Sequence, residues 1–232
     1  MGAGKTDYGS GPLFKAAGLV YGIMLGDALL VLANLLVLLM PLLVGLVGPV
    51  ALLGSVLVGP SAVAASYAFN RLLAGQDTGV FRDFLASYRS NFGQAVVVWL
   101  PYLVLLGIIA FNLTVLPGSL SAGTGNDTTQ IAARIGLLAL GIMVCTAAAN
   151  AMLLLSRFTF RTQDVYRLSV FTLGARTRVS LGNAGILFVT AFILMVTTVW
   201  LALFVAGPVL YLICLNSKPL LIFVEEKFTA PR

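Results

Sequence analysis

The feature that most constrains this chain is a succession of long apolar runs. They are Ala16 to Met40, Leu42 to Ala74 (interrupted by Gly and Pro), Ala95 to Leu116, Ile131 to Ser156, Asn183 to Ala206 and Val209 to Phe223. A helix needs about 20 consecutive apolar residues to cross a bilayer, and most of these runs supply that length. Inside lipid every backbone N–H and C=O must be paired within the protein, which leaves helices and closed barrels as the only spanning forms. A barrel would show short alternating segments, and these runs do not alternate. With 59% hydrophobic and 9% charged residues the chain is far from the roughly 25% charged content of a soluble domain. The expected class is all-α, a polytopic helical membrane protein of about six spans.

The polar stretch before the first run, 1–15, reads as a cytoplasmic tail, and 16–226 as a single transmembrane domain followed by a short cytoplasmic tail, 227–232. The run that follows Lys15 is too long for a signal-peptide core and reads as a retained first span. "MGAGKT" lacks the upstream glycine that a phosphate loop requires. The expected spans lie near 16–40, 42–74, 95–116, 131–156, 183–206 and 209–223.

Charge sets the orientation. The net charge is +6, and the basic residues fall in alternate connections: Lys5 and Lys15, then Arg71, Arg82 and Arg89, then Arg157, Arg161, Arg167, Arg176 and Arg178, then Lys218, Lys227 and Arg232. The stretches 45–59 and 117–130 carry no Lys or Arg, and only Arg134 breaks the pattern. The positive-inside rule then places both termini in the cytoplasm.

Two connectors on that side read as amphipathic interfacial helices, 78–93 and 162–181. In the first, Val80, Phe81, Phe84, Leu85, Tyr88 and Phe92 form an apolar face, with Arg82, Asp83, Arg89, Ser90 and Asn91 opposite. Such a helix rests in the headgroup region while its arginines meet anionic lipid phosphates. Asp77 is the expected N-cap, and Gly75 the expected stop of the preceding helix. "SYRSNFGQA" (87–95) also aligns with "RTRVSLGNA" (176–184). The pair reads either as a parallel internal repeat or as two interfacial helices that each need an Arg and a Gly.

Polar residues inside apolar runs are the candidate sites. Asp27 falls about 15 Å along a helix that starts near residue 17, with Asn34 on nearly the same face and Asn70 at the end of the second run. An intramembrane carboxylate is by default a hypothesis of proton or ion handling, against the plainer reading that Asp27 is shallow and bonded to Asn70 or an arginine. Asn70, Asn150 and Asn216 are expected to hydrogen-bond across helices. Arg71, Arg82, Asp83, Arg89, Arg176 and Arg178 are candidates for docking or lipid contact. The chain has no His, and Cys145 and Cys214 lie in separate runs without metal-ligand spacing. No metal, cofactor, catalytic residue or nucleic-acid partner is expected.

"NLLVLLMP" followed by "GPSAVAASYAFNRLLAGQDTGVFRDFLASYRSNFGQA" resembles the YesL-like family of bacterial membrane proteins, whose domain is one of unknown function. The resemblance is carried by Asn34, Pro41, Gly59, Pro60, Arg71, Gly75, Phe81, Asp83, Phe84, Arg89, Asn91 and Phe92, with a weaker echo in "AGPVLY". It covers about 14 to 95. The link Leu42 to Val58 is longer than the family's. The resemblance implies an all-helical fold, a bacterial plasma membrane and genomic company with sugar transporters and glycoside hydrolases, but no established activity. The expected function is a non-enzymatic accessory or regulatory component of carbohydrate uptake, docked on a sugar transporter complex; the alternative is a small secondary transporter with an Asp/Asn site.

Overall fold

A computed structural model describes residues 12–35, 53–76, 79–119, 127–197 and 199–228. The helices are α1 (Pro12–Ala33), α2 (Val58–Leu73, entered through a 3-10 turn Ser55–Leu57), α3 (Val80–Ser119), α4 (Asp127–Arg157), α5 (Thr162–Ala175), α6 (Thr177–Val196), α7 (Ala202–Asn216) and α8 (Lys218–Phe228). Among the described residues there is no strand. Stretches of α1, α3, α4 and α6 are long and apolar enough to cross a membrane, and α7 with α8 forms a further candidate bent by 49°. The chain is a multi-pass helical membrane protein. The second expected span, 42–74, is helical over 58–73, while 42–52 and the expected cap Asp77 lie outside the described residues.

Helix α2 is the centre of the bundle and packs against α1, α3, α4 and α7. Its buried face is built from small residues, Ser61, Ala64, Ala65, Ser66 and Ala68, with Val63 and Phe69 as the larger fillers. Lipid is as apolar as leucine, so helices associate in it by close packing rather than by expulsion of water, and small side chains permit that approach. Gly22 of α1 lies against Leu72 and Val80, and Asn34 reaches Ser61, so α1 and α2 run antiparallel. The turn from α2 to α3 contains Gly75 (φ 69°) and Gly79 (φ 87°), both in the left-handed region that a Cβ disfavours. Gly75 does end α2, as its position in the sequence suggested.

The boundaries differ from the sequence expectation in three places. The connector 78–93 and the span 95–116 are one continuous helix, the 40 residues of α3. Nothing between them breaks a helix except Gly93, which costs only about 1 kcal/mol relative to Ala. At about 1.5 Å per residue α3 is about 60 Å long, roughly twice the hydrocarbon thickness, and 80–93 continue the helix of the span instead of forming a separate one. Pro101 lies within α3 and removes the N–H that would pair with the Val97 carbonyl. The hydroxyl of Tyr166, from α5, donates to that carbonyl at 2.7 Å and contacts Val98 O at 3.3 Å.

The connector 162–181 is split in two. Arg176 (φ −127°, ψ 59°) separates α5 from α6, and 177–181 continue directly into the span. The last two expected spans, 183–206 and 209–223, are divided elsewhere. Four consecutive β-branched residues, 196–199, weaken the helix by their restricted χ1, so α6 stops at Val196 and 202–206 open α7, which runs through Pro208. The final run then bends at Ser217, where Pro219 enters the first turn of α8, a position that tolerates its missing N–H.

The aligned segments of the internal echo therefore occupy different backbone settings. Arg89 is well inside α3, whereas Arg178 is in the first turn of α6 just after a break.

Candidate functional site

The polar residues of the bundle divide into a closed network, two isolated pairs and an open basic end. In the network, Asn183 of α6 donates to Asn150 Oδ1 on α4 (3.3 Å) and to Ser217 Oγ at the α7–α8 bend (2.9 Å). Its own carbonyl accepts from Asn216 Nδ2 at 2.8 Å. Asn150 donates in turn to Thr172 Oγ1 on α5 at 3.4 Å, and Tyr102 of α3 shares a hydrogen bond with Ser169 at 2.7 Å. Asn150, Thr172, Asn183 and Ser217 are completely buried. An amide has two donor hydrogens and two acceptor sites, and Asn183 uses three of the four. Asn150 and Asn216 thus bridge helices, as expected for such residues; Asn183, which joins them, reads in sequence only as the start of an apolar run.

Asp27, Asn34 and Asn70 are not brought together. Asp27 Oδ1 accepts the backbone N–H of Gly207 on α7, and no hydrogen bond joins it to Asn70 or an arginine. Asn34 donates to Leu30 O (2.8 Å) and Ser61 Oγ (2.7 Å) and borders an apolar cavity of about 440 Å³ whose wall includes Leu30, Trp99, Cys145 and Leu210. Asn70 is on the far end of α2, where its Nδ2 is buried without a partner.

At that end Arg71 Nη1 pairs with Asp83 at 3.1 Å and donates to Tyr67 OH at 3.2 Å. Asp83, read in sequence as part of the polar face of 79–95, is 6% exposed. The face of α3 that packs inward is Val80, Asp83, Phe84, Ser87, Ala95 and Val98, while Phe81, Arg82, Arg89 and Phe92 look outward. Phe81 and Phe92 thus lie on the opposite side of α3 from Val80 and Phe84, which pack inward beside Asp83. Arg176 stacks its guanidinium on Phe223 at 4.7 Å, and Arg178 is exposed.

Beside Arg71 opens a second cavity of about 430 Å³, bordered by Tyr67, Asn70, Arg71, Ala74, Gln76, Ser156 and Arg157. Arg157 is tied to Glu225 of α8 at 2.8 Å. Sequence reasoning placed Arg71 and Asn70 in separate candidate groups; only the antiparallel return of α4 sets Arg157 opposite them. Among the described residues no group of His, Cys, Asp and Glu could hold a metal ion.

Residues 30–113 match the family model described as protein of unknown function, DUF624. Over this stretch the chain is similar to the YesL-like family, in line with the resemblance carried by its sequence. The DUF624 region takes in the end of α1, all of α2, the glycine turn and most of α3, so it contains the Arg71–Asp83 pair and one wall of the basic cavity. The Asn150–Asn183–Ser217 network lies outside it. No curated protein and no solved structure matches the chain.

Proposed function

We propose that this protein is a non-enzymatic accessory or regulatory component of carbohydrate uptake in a bacterial plasma membrane, acting by docking through its basic end. The observation that carries the reading is the clustering of charge. Lys15, Arg71, Arg82, Arg89, Arg157, Arg161, Arg167, Arg176, Arg178, Lys218 and Lys227 lie on segments gathered towards one end of the bundle, and Arg134 is at the other. Such asymmetry supports a cytoplasmic orientation of that end and of both termini. There the first turns of α3 carry Phe81 (52% exposed), Phe92 (39%), Arg82 and Arg89 outward. An aromatic and arginine surface of this kind suits protein contact. The carbohydrate link is supported by the family resemblance.

The transporter alternative has less to support it: Asp27 is engaged by Gly207 and Asn34 by Ser61, and of the two cavities described above Asn34 borders one and Asp27 neither. A photo-crosslinker at Arg82 in living cells is expected to capture a sugar-transporter subunit, with recovery reduced by Arg89→Lys because lysine cannot reproduce bidentate pairing with a carboxylate. Adducts with lipid alone, or gradient-driven solute uptake by the purified protein in liposomes, would contradict the docking reading.

A further inference from the structure

The cavity between the ends of α2 and α4 has the chemistry of an oxyanion site. Two arginines, Arg71 and Arg157, border it together with Tyr67, Asn70 and Gln76, all of which carry hydrogen-bond donors. Asp83 and Glu225 hold those arginines but are not among the described residues that border the cavity, so no described carboxylate faces the space. Each carboxylate occupies one edge of its arginine. A guanidinium carries five N–H groups in a fixed fork, so donors remain. Arg71 Nε and Asn70 Nδ2 are both buried without an acceptor. A buried donor left unpaired is costly, whereas a hydrogen bond to a charged group is among the stronger ones available to a protein. A small turn of the Asn70 amide or of Arg71 into the space would exchange two unpaired donors for charge-assisted bonds. Because Tyr67 OH accepts from Arg71, its own hydrogen is free to donate to the same ligand.

We propose that this cavity binds a phosphate-type oxyanion, gripped by Arg71 and Arg157 with Asn70 and Tyr67 completing the donor set. Two guanidiniums suit a tetrahedral oxyanion with several acceptor oxygens better than they suit a neutral ligand. About 430 Å³ leaves room for an organic substituent on the phosphate. The position, at the basic end of the bundle, is accessible both to a lipid headgroup phosphate and to a free phosphorylated compound. The site stands independently of the docking reading, since it uses none of the outward residues of α3.

The test uses the full chain purified into phosphatidylcholine nanodiscs, titrated with inorganic phosphate and followed by thermal midpoint, with chloride at equal ionic strength as reference. If the oxyanion is free in solution, phosphate raises the midpoint beyond chloride, and Asn70→Asp weakens the apparent affinity about tenfold by turning a donor into a like charge. If it belongs to lipid, phosphatidylglycerol stays bound through purification, as read by native mass spectrometry, and Asn70→Asp sheds it. Gln76→Glu, on the exposed turn after α2, serves as the second variant and must act in the same direction, so a misfolded Asn70→Asp protein leaves the proposal open to refutation. Equal response to phosphate and chloride with no retained anionic lipid overturns it. So does binding of either kind that both variants leave unchanged.

Discussion

The carboxylate of Asp27 accepts a hydrogen bond from the backbone N–H of Gly207, and this contact joins α1 to α7 through the interior of the bundle. The approach is close: a Cβ added at Gly207 would be 2.5 Å from Asp27 Cβ and 2.8 Å from its Cα. Only glycine fits there without moving a helix. Pro208, which follows, has no N–H, so the Phe204 carbonyl one turn earlier lacks its usual helical donor.

Gly207→Ala is therefore expected to destabilise the protein by about 1–3 kcal/mol, the usual cost of forcing extra volume into a packed interior. Asp27→Asn, whose side-chain oxygen can still accept the same N–H, should be much milder. Thermal melting in detergent compares the two. A Gly207→Ala protein as stable as wild type would mean that α1 and α7 are not in this contact.

The Asn183 network predicts coupling across helices. Asn183→Leu leaves Asn150, Asn216 and Ser217 short of partners inside the bundle and should cost about 1–3 kcal/mol. In a double-mutant cycle Asn150→Leu and Asn183→Leu should couple by about 0.5–2 kcal/mol. Additive losses would show that the amides act separately.

Much of this was legible in the sequence, and the misses have physical causes. Apolar run length fixed the all-helical membrane class, and the alternation of arginines anticipated the single basic end. Helix continuity was harder to read. The polar turns of 79–95 resemble an interfacial helix, but their pattern cannot say whether the helix lies flat or stands upright, since that depends on what packs against it. Asp83 illustrates the limit. Its charge assigns it to solvent, yet Arg71 arrives from another helix and makes burial affordable. Asp27 and Asn34 share a face of α1 at helical spacing, but α2 and α7 cover different levels of that face, so each finds its own partner. Asn183 gave no signal, because one amide at the edge of an apolar run looks the same whether it joins three helices or none.

The pairing of Tyr166 with Pro101 yields a prediction with an internal control. Tyr166→Phe should cost about 1 kcal/mol, because the Val97 carbonyl freed by Pro101 loses its donor. In a Pro101→Ala background the backbone N–H returns and Val97 regains a helical partner, so the same Tyr166→Phe change should cost close to nothing. Equal costs in both backgrounds would detach the hydroxyl from the proline.

The central claim, that the basic end is the cytoplasmic working surface, is tested most directly by single-cysteine accessibility in intact cells. Cys145 and Cys214 are first replaced by Ala, and one cysteine is placed at Ser90 on α3, Thr177 at the start of α6 or Thr128 at the start of α4. All three positions are exposed, unlike Ser87, whose burial would mask a cysteine whichever way the protein faced. An impermeant thiol reagent applied to whole cells is expected to label Thr128→Cys and to spare Ser90→Cys and Thr177→Cys until the membrane is opened. Labelling of Ser90→Cys or Thr177→Cys in unbroken cells, with Thr128→Cys protected, would invert the molecule and contradict the account.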